Sequence, residues 1–147
     1  MNSVSLKSRT EIKVRFSEVD SLRIVWHGHY VQYLEEGREN FGKKYEIGYQ
    51  DMEKHGYASP IVKVDIDYKQ QLRYGDSLIV ETEYVDTPAA KLIFAYTLYR
   101  KSDMVIVAKA KTIQVFLDLK NMELSLNHPS FGMAWKKKWG LLPQKEK

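Results

Sequence analysis

The 147-residue sequence contains no cysteine, which excludes disulfides, thiolate catalysis and cysteine-ligated zinc. No apolar run approaches the ~18–20 residues that a membrane-spanning helix needs. Met1 to Thr10 is polar and lacks the apolar stretch of a secretory signal, so a cytoplasmic location is expected. There is no GxGxxG or P-loop pattern for nucleotides, no HExxH for zinc and no GxSxG elbow. Outside the C-terminal end there is no charge excess. Ala134 to Lys147 holds five lysines and one acid, and the remaining residues hold 18 side chains of each sign. The net charge of +4 therefore belongs to the tail, and a general nucleic-acid surface is not expected.

What is present reads as one α+β domain over residues 1–147, with a basic terminal helix and tail at about 130–147. Ile12, Val14 and Phe16 alternate with polar residues, as in a half-buried strand. After a polar loop, Tyr30, Tyr33, Leu34, Gly37 and Phe41 recur at 3–4 spacing and define one face of a long helix. Glu35–Arg38 and Glu39–Lys43 have the spacing of helical ion pairs. Gly37 on the apolar face implies close approach of another backbone, and Gly42 or Gly48 is the expected helix end. A short second helix is expected over Tyr49 to His55.

From Pro60 the period becomes two. Val62, Val64, Ile66 and Tyr68 share one face; Leu78, Val80, Thr82 and Tyr84 share another. Arg73–Asp76 is a turn, and Leu92–Tyr99, apolar on both faces, belongs in the middle of the sheet. Met104–Asp118 shifts phase near Lys109–Lys111, where a bulge is expected. A turn or hairpin fits 118–127. Loops this short exclude helical crossovers, so the sheet is antiparallel, with its one major helix against a face. Trp135 and Trp139 are expected to pack on the body and the intervening lysines to stay in water, so no membrane contact is expected.

The chemistry-bearing stretch is Val14–Arg38. Asp20 lies in the loop just before the helix, followed by Ile24, Val25 and Trp26. A carboxylate beside apolar walls gains proton affinity and serves as a base or nucleophile; the plainer reading is a turn-forming acid. At His27 and Gly28 the helix begins without Ser, Thr, Asp or Asn to cap it. Unmet backbone N–H groups at a helix start favour a developing oxyanion, unless water or the His29 imidazole fills them. His27 and His29, two residues apart, do not share a helical face, and no metal site is expected.

These residues carry a resemblance. Arg15–Asp20, Ile24–His27, Tyr30, Tyr33–Glu35 and Gly37–Arg38 resemble the N-terminal signature of hotdog-fold acyl-CoA thioesterases of the 4-hydroxybenzoyl-CoA thioesterase-like branch. The turn Arg73–Asp76 matches a weaker family feature. The resemblance implies a hotdog fold, a long helix wrapped by a curved antiparallel sheet of about five strands. It also implies a homodimer or homotetramer with active sites at the subunit interface. It implies hydrolysis of acyl-CoA to free acid and CoA, without metal or bound cofactor. Asp20 falls on the catalytic aspartate, and the backbone amide of His27 on the group that polarises the thioester carbonyl. Trp26 and Gly28 would adjoin the substrate. Arg23 stands where the family usually has glycine, and would reshape the loop or line the entrance. Glu18 replaces a commoner Asp. Lys91 is the remaining candidate for CoA phosphates. Two other functions suit the same fold: an acyl-thioester dehydratase, needing a facing His and carboxylate, and a non-catalytic acyl-CoA sensor.

Overall fold

The computed structural model describes residues 4–142. Strand β1 (Lys7–Lys13) leads through a loop to helix α1 (Tyr30–Tyr45) and helix α2 (Tyr49–Lys54). After the two-residue strand β2 (Tyr57–Ala58) come β3 (Ile61–Tyr68), β4 (Ser77–Val85), β5 (Lys91–Arg100) and β6 (Val105–Val115). Strands β7 (Leu117–Asp118) and β8 (Glu123–Leu124) precede helix α3 (Ser130–Lys138). The main sheet is antiparallel in the order β1-β4-β5-β6-β3. β5 is central, as its two-sided apolar sequence requires. Leu78, Val80, Thr82 and Tyr84 of β4, with Leu92, Phe94, Tyr96 and Leu98 of β5, form a buried face.

Helix α1 lies against β1 and β4. Its buried residues are Tyr30, Tyr33, Leu34, Gly37, Phe41, Gly42 and Tyr45. Burial of each large apolar side chain contributes about 1.5–3 kcal/mol. Gly37 sets the helix-to-sheet distance: a Cβ there would stand 2.6 Å from Thr82 Oγ1 and 2.7 Å from Val80 Cγ1. The helix does not end at a glycine as expected. It runs through Gly42 and stops at Tyr45, with Glu46 in the left-handed region at φ 62°. Gly42 serves packing instead, since its Cβ would meet Gly48 Cα at 2.7 Å.

Three further expectations change. The bulge in β6 falls at Val107, two residues before Lys109. Leu98 pairs with Ala108 and Tyr99 with Ile106, and Val107 gives its carbonyl to Lys69 and Gln70 instead. The apolar face of β3 is on the same side of the sheet as α1 but is not covered, because α1 lies over β1 and β4 at the other end of the strand order. Val62, Val64 and Tyr68 remain exposed on this edge strand. In α3, Trp135 is buried and donates to the Tyr45 carbonyl at 2.6 Å. Lys136, however, is not in water: it is 2% exposed. Its ammonium reaches the Thr87 carbonyl at 2.6 Å and Asp86 at 2.9 Å. The expected hairpin over 118–127 exists as β7–β8, extended by β2 into a small second sheet. Lys145 and Lys147 of the basic tail lie outside the described residues.

Gly37→Ala tests the helix–sheet distance. It should destabilise by about 1–3 kcal/mol through overpacking, read as a drop of several degrees in the thermal midpoint. A midpoint equal to wild type would show that α1 lifts off the sheet without cost.

Candidate active site

After β1 the chain makes a single 3-10 turn, Phe16–Glu18, and returns on itself. Val19 bridges Val25, and Ile24 bridges Arg73. Residues 20–24 are thus the tip of a small hairpin. The Asp20 N–H donates to the Ile24 carbonyl at 2.9 Å. Asp20 Oδ1 accepts from the N–H groups of Leu22 at 2.8 Å and Ile24 at 3.3 Å. Among the described residues Oδ2 has no partner, so one carboxylate oxygen is held and the other is free.

Arg23 has φ 65°, the left-handed conformation that favours glycine. Its N–H donates to the Asp20 carbonyl, and its own carbonyl accepts from Tyr74. Arg23 thus holds a backbone conformation that glycine adopts without strain.

Burial in this segment falls on a residue that pattern reading treated as a minor change. Glu18 is 3% exposed. Its carboxylate accepts from the Arg15 N–H at 2.9 Å, the Arg15 guanidinium at 3.2 Å and the Tyr33 hydroxyl at 2.9 Å. Its carbonyl accepts from the Trp26 N–H at 3.0 Å. Burial alone raises its pKa, but the hydrogen bonds from the Arg15 N–H, the Tyr33 hydroxyl and the Arg15 side chain prevail and lower it. The Tyr33 hydroxyl is correspondingly pushed up, by burial and then by Glu18. The Arg15–Glu18 spacing in sequence hints at this pair; the Tyr33 contact does not follow from spacing.

A second 3-10 turn, His27–His29, starts the helical segment without a side-chain cap. His29 donates its N–H to the Trp26 carbonyl, and Tyr30 to that of His27. Among the described residues the N–H groups of His27 and Gly28 meet no acceptor. The His29 ring does not fill them, because its Nδ1 lies against Gln32 Oε1 at 3.1 Å. Tyr68, from the end of β3, donates its hydroxyl to the His27 carbonyl at 2.8 Å. The Trp26 indole covers Gly28 so closely that a Cβ there would stand 2.3 Å from the ring. Burial, with Tyr68 alongside, pushes the Tyr30 hydroxyl up to about 12.

Asp20, Arg23, Trp26, His27 and Gly28 thus belong to one hairpin and helix start. The expected apolar wall around Asp20 is absent within the chain: Asp20 and Trp26 are exposed, while Val25 turns into the core. The Val19–Val25 bridge forces this, since it places the acid on the outer tip. Lys91 is not part of the cluster. It pairs with Val115, whereas Tyr68, next to His27, pairs with Ala108. That separates them by about 23 Å along β6. The expected Glu35–Arg38 pair is also absent, because Arg38 turns to the Tyr96 hydroxyl at 3.3 Å. Glu39 and Lys43 do meet, at 3.8 Å. Glu18, Tyr33 and Tyr68 are the residues that sequence reasoning missed.

Residues 14–135 match the model of the thioesterase-like superfamily. The chain belongs to that family. In Bacillus subtilis, "Putative acyl-CoA thioesterase YneP" is 32% identical over 133 residues, covering 88% of this chain and 96% of that protein. The Escherichia coli long-chain acyl-CoA thioesterase FadM is 26% identical over 78% of this chain and 86% of its own. A DHNA-CoA thioesterase from Staphylococcus aureus superposes with a TM-score of 0.79 at 23% identity, over 92% of each chain. This thioesterase-like protein has the hotdog fold of such neighbours, and its activity class is thioester hydrolysis. No helix among the described residues is long and apolar enough to cross a membrane.

Two outcomes test the local structure. Glu18→Gln should cost about 1–3 kcal/mol, since the amide cannot accept all three donors. In the wild type, the carboxylate's folded pKa lies below its ordinary 4.5. Its contribution is therefore full above that value and lost as pH falls below it. Denaturant titrations from pH 7 to 3 should show the wild type converging on the variant; parallel curves would refute the assignment. Separately, Arg23→Gly should raise stability by up to about 1 kcal/mol by relieving the left-handed strain, visible as a higher thermal midpoint.

Proposed function

We propose that this thioesterase hydrolyses acyl-CoA to a free acid and CoA at the hairpin and helix start, in the cytoplasm. Asp20 acts on the thioester as general base or nucleophile, and the backbone N–H of His27 polarises the carbonyl. The observation that carries the reading is the Asp20 carboxylate, with one oxygen anchored and one free, on a hairpin whose far strand runs directly into two unmet N–H groups. In the base route, Asp20 Oδ2 takes a proton from water as the oxygen attacks the carbonyl carbon. The oxyanion forms against the His27 and Gly28 N–H groups. Collapse breaks the carbon–sulfur bond, and the thiolate of CoA recovers the proton from Asp20. The exposed Trp26 indole flanks the same N–H groups. The left-handed backbone at Arg23, which a glycine would also adopt, favours turnover over a sensor role. A dehydratase is less well supported, because the His27 ring faces Tyr68 and the His29 ring faces Gln32.

The uncovered β3 edge supports a homo-oligomer, as unpaired edge strands with apolar faces invite pairing. Two copies of β3 joined antiparallel about a two-fold axis make one continuous sheet. Each Tyr68 end, which holds His27, then lies beside the partner's Ile61 end. Ile61 lines a groove beneath α1, so this pairing supplies the acyl cavity that Asp20 lacks within its own chain.

Asp20→Asn should lower thiol release from a panel of aliphatic and aromatic acyl-CoAs by about 10²–10⁴-fold. Equal slow rates for both proteins across the panel would defeat the catalytic reading. Replacing Val64 with Lys should shift sedimentation toward the monomer and lower turnover together; a monomer of full activity would exclude the shared site.

A further inference from the structure

The two unmet N–H groups at the helix start belong to different peptide planes. A trans peptide holds the carbonyl of one residue and the N–H of the next in a single plane, pointing opposite ways. The His27 N–H therefore shares a plane with the Trp26 carbonyl, and the Gly28 N–H shares one with the His27 carbonyl. The Trp26 carbonyl accepts from the His29 N–H at 2.9 Å, which closes the turn Trp26–His29. That bond leaves the His27–Gly28 peptide undecided. A four-residue turn keeps the same closing bond in its type I and type II forms, which differ by reversal of the central peptide. Type II needs a positive φ at the third residue, and glycine supplies it without strain. Gly28 is that third residue, yet it does not take a positive φ, whereas Gly56, Gly75 and Gly140 do.

A side chain at position 28 would bar the reversal, but the Trp26 ring leaves no room for a Cβ there. The peptide is instead held at its carbonyl end. The His27 carbonyl accepts from the Tyr30 N–H and from the Tyr68 hydroxyl, the latter at 2.8 Å. The Tyr68 ring is itself aimed. It meets the buried Tyr30 ring edge to face, with centroids 4.9 Å apart. The chain just after it is anchored by the bulge in β6, where the Val107 carbonyl accepts from Lys69 at 2.8 Å and Gln70 at 3.1 Å. Two residues further on, the Leu72 carbonyl accepts from the Val25 N–H at 2.8 Å, which ties this segment to the returning strand of the Asp20 hairpin.

We propose that Tyr68 is a positioning residue for hydrolysis: its hydroxyl locks the His27–Gly28 peptide so that the Gly28 N–H faces the forming oxyanion. Reversal of the peptide would turn that N–H away and leave the His27 N–H as the one donor. A second donor on the His27 carbonyl also polarises the amide and strengthens the Gly28 N–H as a donor. The inference rests on the thioester site proposed above and adds the group that sets its geometry.

Tyr68→Phe keeps the ring and removes the hydroxyl. Its kcat on acyl-CoA should fall about tenfold or more, with KM within about twofold of wild type. In the substrate-free protein the Gly28 amide resonance should move and broaden as the two turn forms exchange, while the Glu18 and Tyr33 amides stay in place. A loss of packing alone would move all three. The same substitution on an Asp20→Asn background reads the oxyanion contact without turnover. A trifluoromethyl ketone analogue of an acyl-CoA should then bind about tenfold more weakly when the hydroxyl is absent. The two readings fail separately: an Asp20→Asn protein of full rate would defeat the catalytic acid and leave the Tyr68 lock standing. An unmoved Gly28 resonance, a loss confined to KM, or equal binding of the ketone with and without the hydroxyl would overturn the lock.

Discussion

The Glu18 carboxylate is the contact on which the site depends. It is buried at the point where the end of β1, the Asp20 hairpin and α1 meet. Arg15 before it, Tyr33 on the helix and the Trp26 N–H on the returning strand all donate to this one residue. A buried charge is tolerable only when its lone pairs are filled; here Arg15 and Tyr33 fill those of the carboxylate, while the Glu18 carbonyl takes the Trp26 N–H of the returning strand. The hairpin is therefore held in one position against the helix. Without that fixed position, Asp20 Oδ2 and the His27 N–H would have no defined relation to each other.

The helix itself is placed by a size constraint. Gly37 lets α1 approach β4 to the point where Thr82 and Val80 occupy the space of a missing side chain. Close packing on one side of the sheet leaves the other strands, β6 and β3, less covered by α1, and the groove arises there. One packing decision thus yields both a rigid helix start, where the N–H groups are presented, and an open cavity near Phe94 and Gln114. Tyr68 links the two ends of this arrangement. It lies on the uncovered edge strand, yet its hydroxyl fixes the His27 carbonyl.

Much of the fold could be read along the chain. The change of period from 3.6 to two at Pro60 separates helix from sheet, and the two-sided apolar run of β5 places it centrally. The resemblance of Val14–Arg38 to the thioesterases named the family, which the match over residues 14–135 shows. Short-range chemistry was less reliable. Glu46 ends α1 although two glycines stood near, because Gly42 was needed for contact with Gly48. Lys136 is buried although Lys137 and Lys138 are solvated, because Asp86 and the Thr87 carbonyl converge on it. Such outcomes depend on residues distant in sequence, which no local pattern encodes.

The same division runs through the site. Sequence alone determined the residue types: an acid before a helix, a helix start without a capping side chain, and a non-glycine at position 23. These follow from composition and spacing over about twenty residues. Tertiary structure decided which acid is buried and which is free, since Glu18 and Asp20 are two residues apart and differ only in what folds around them. It also decided that Arg23 takes the left-handed backbone of a glycine, and that Arg38 leaves Glu35 for Tyr96. In each case a contact from elsewhere in the chain selected among local options: Tyr33 of α1 for Glu18, the turn at Tyr74 for Arg23, and Tyr96 of β5 for Arg38. Periodicity fixes which way a side chain points, but only packing fixes what it meets.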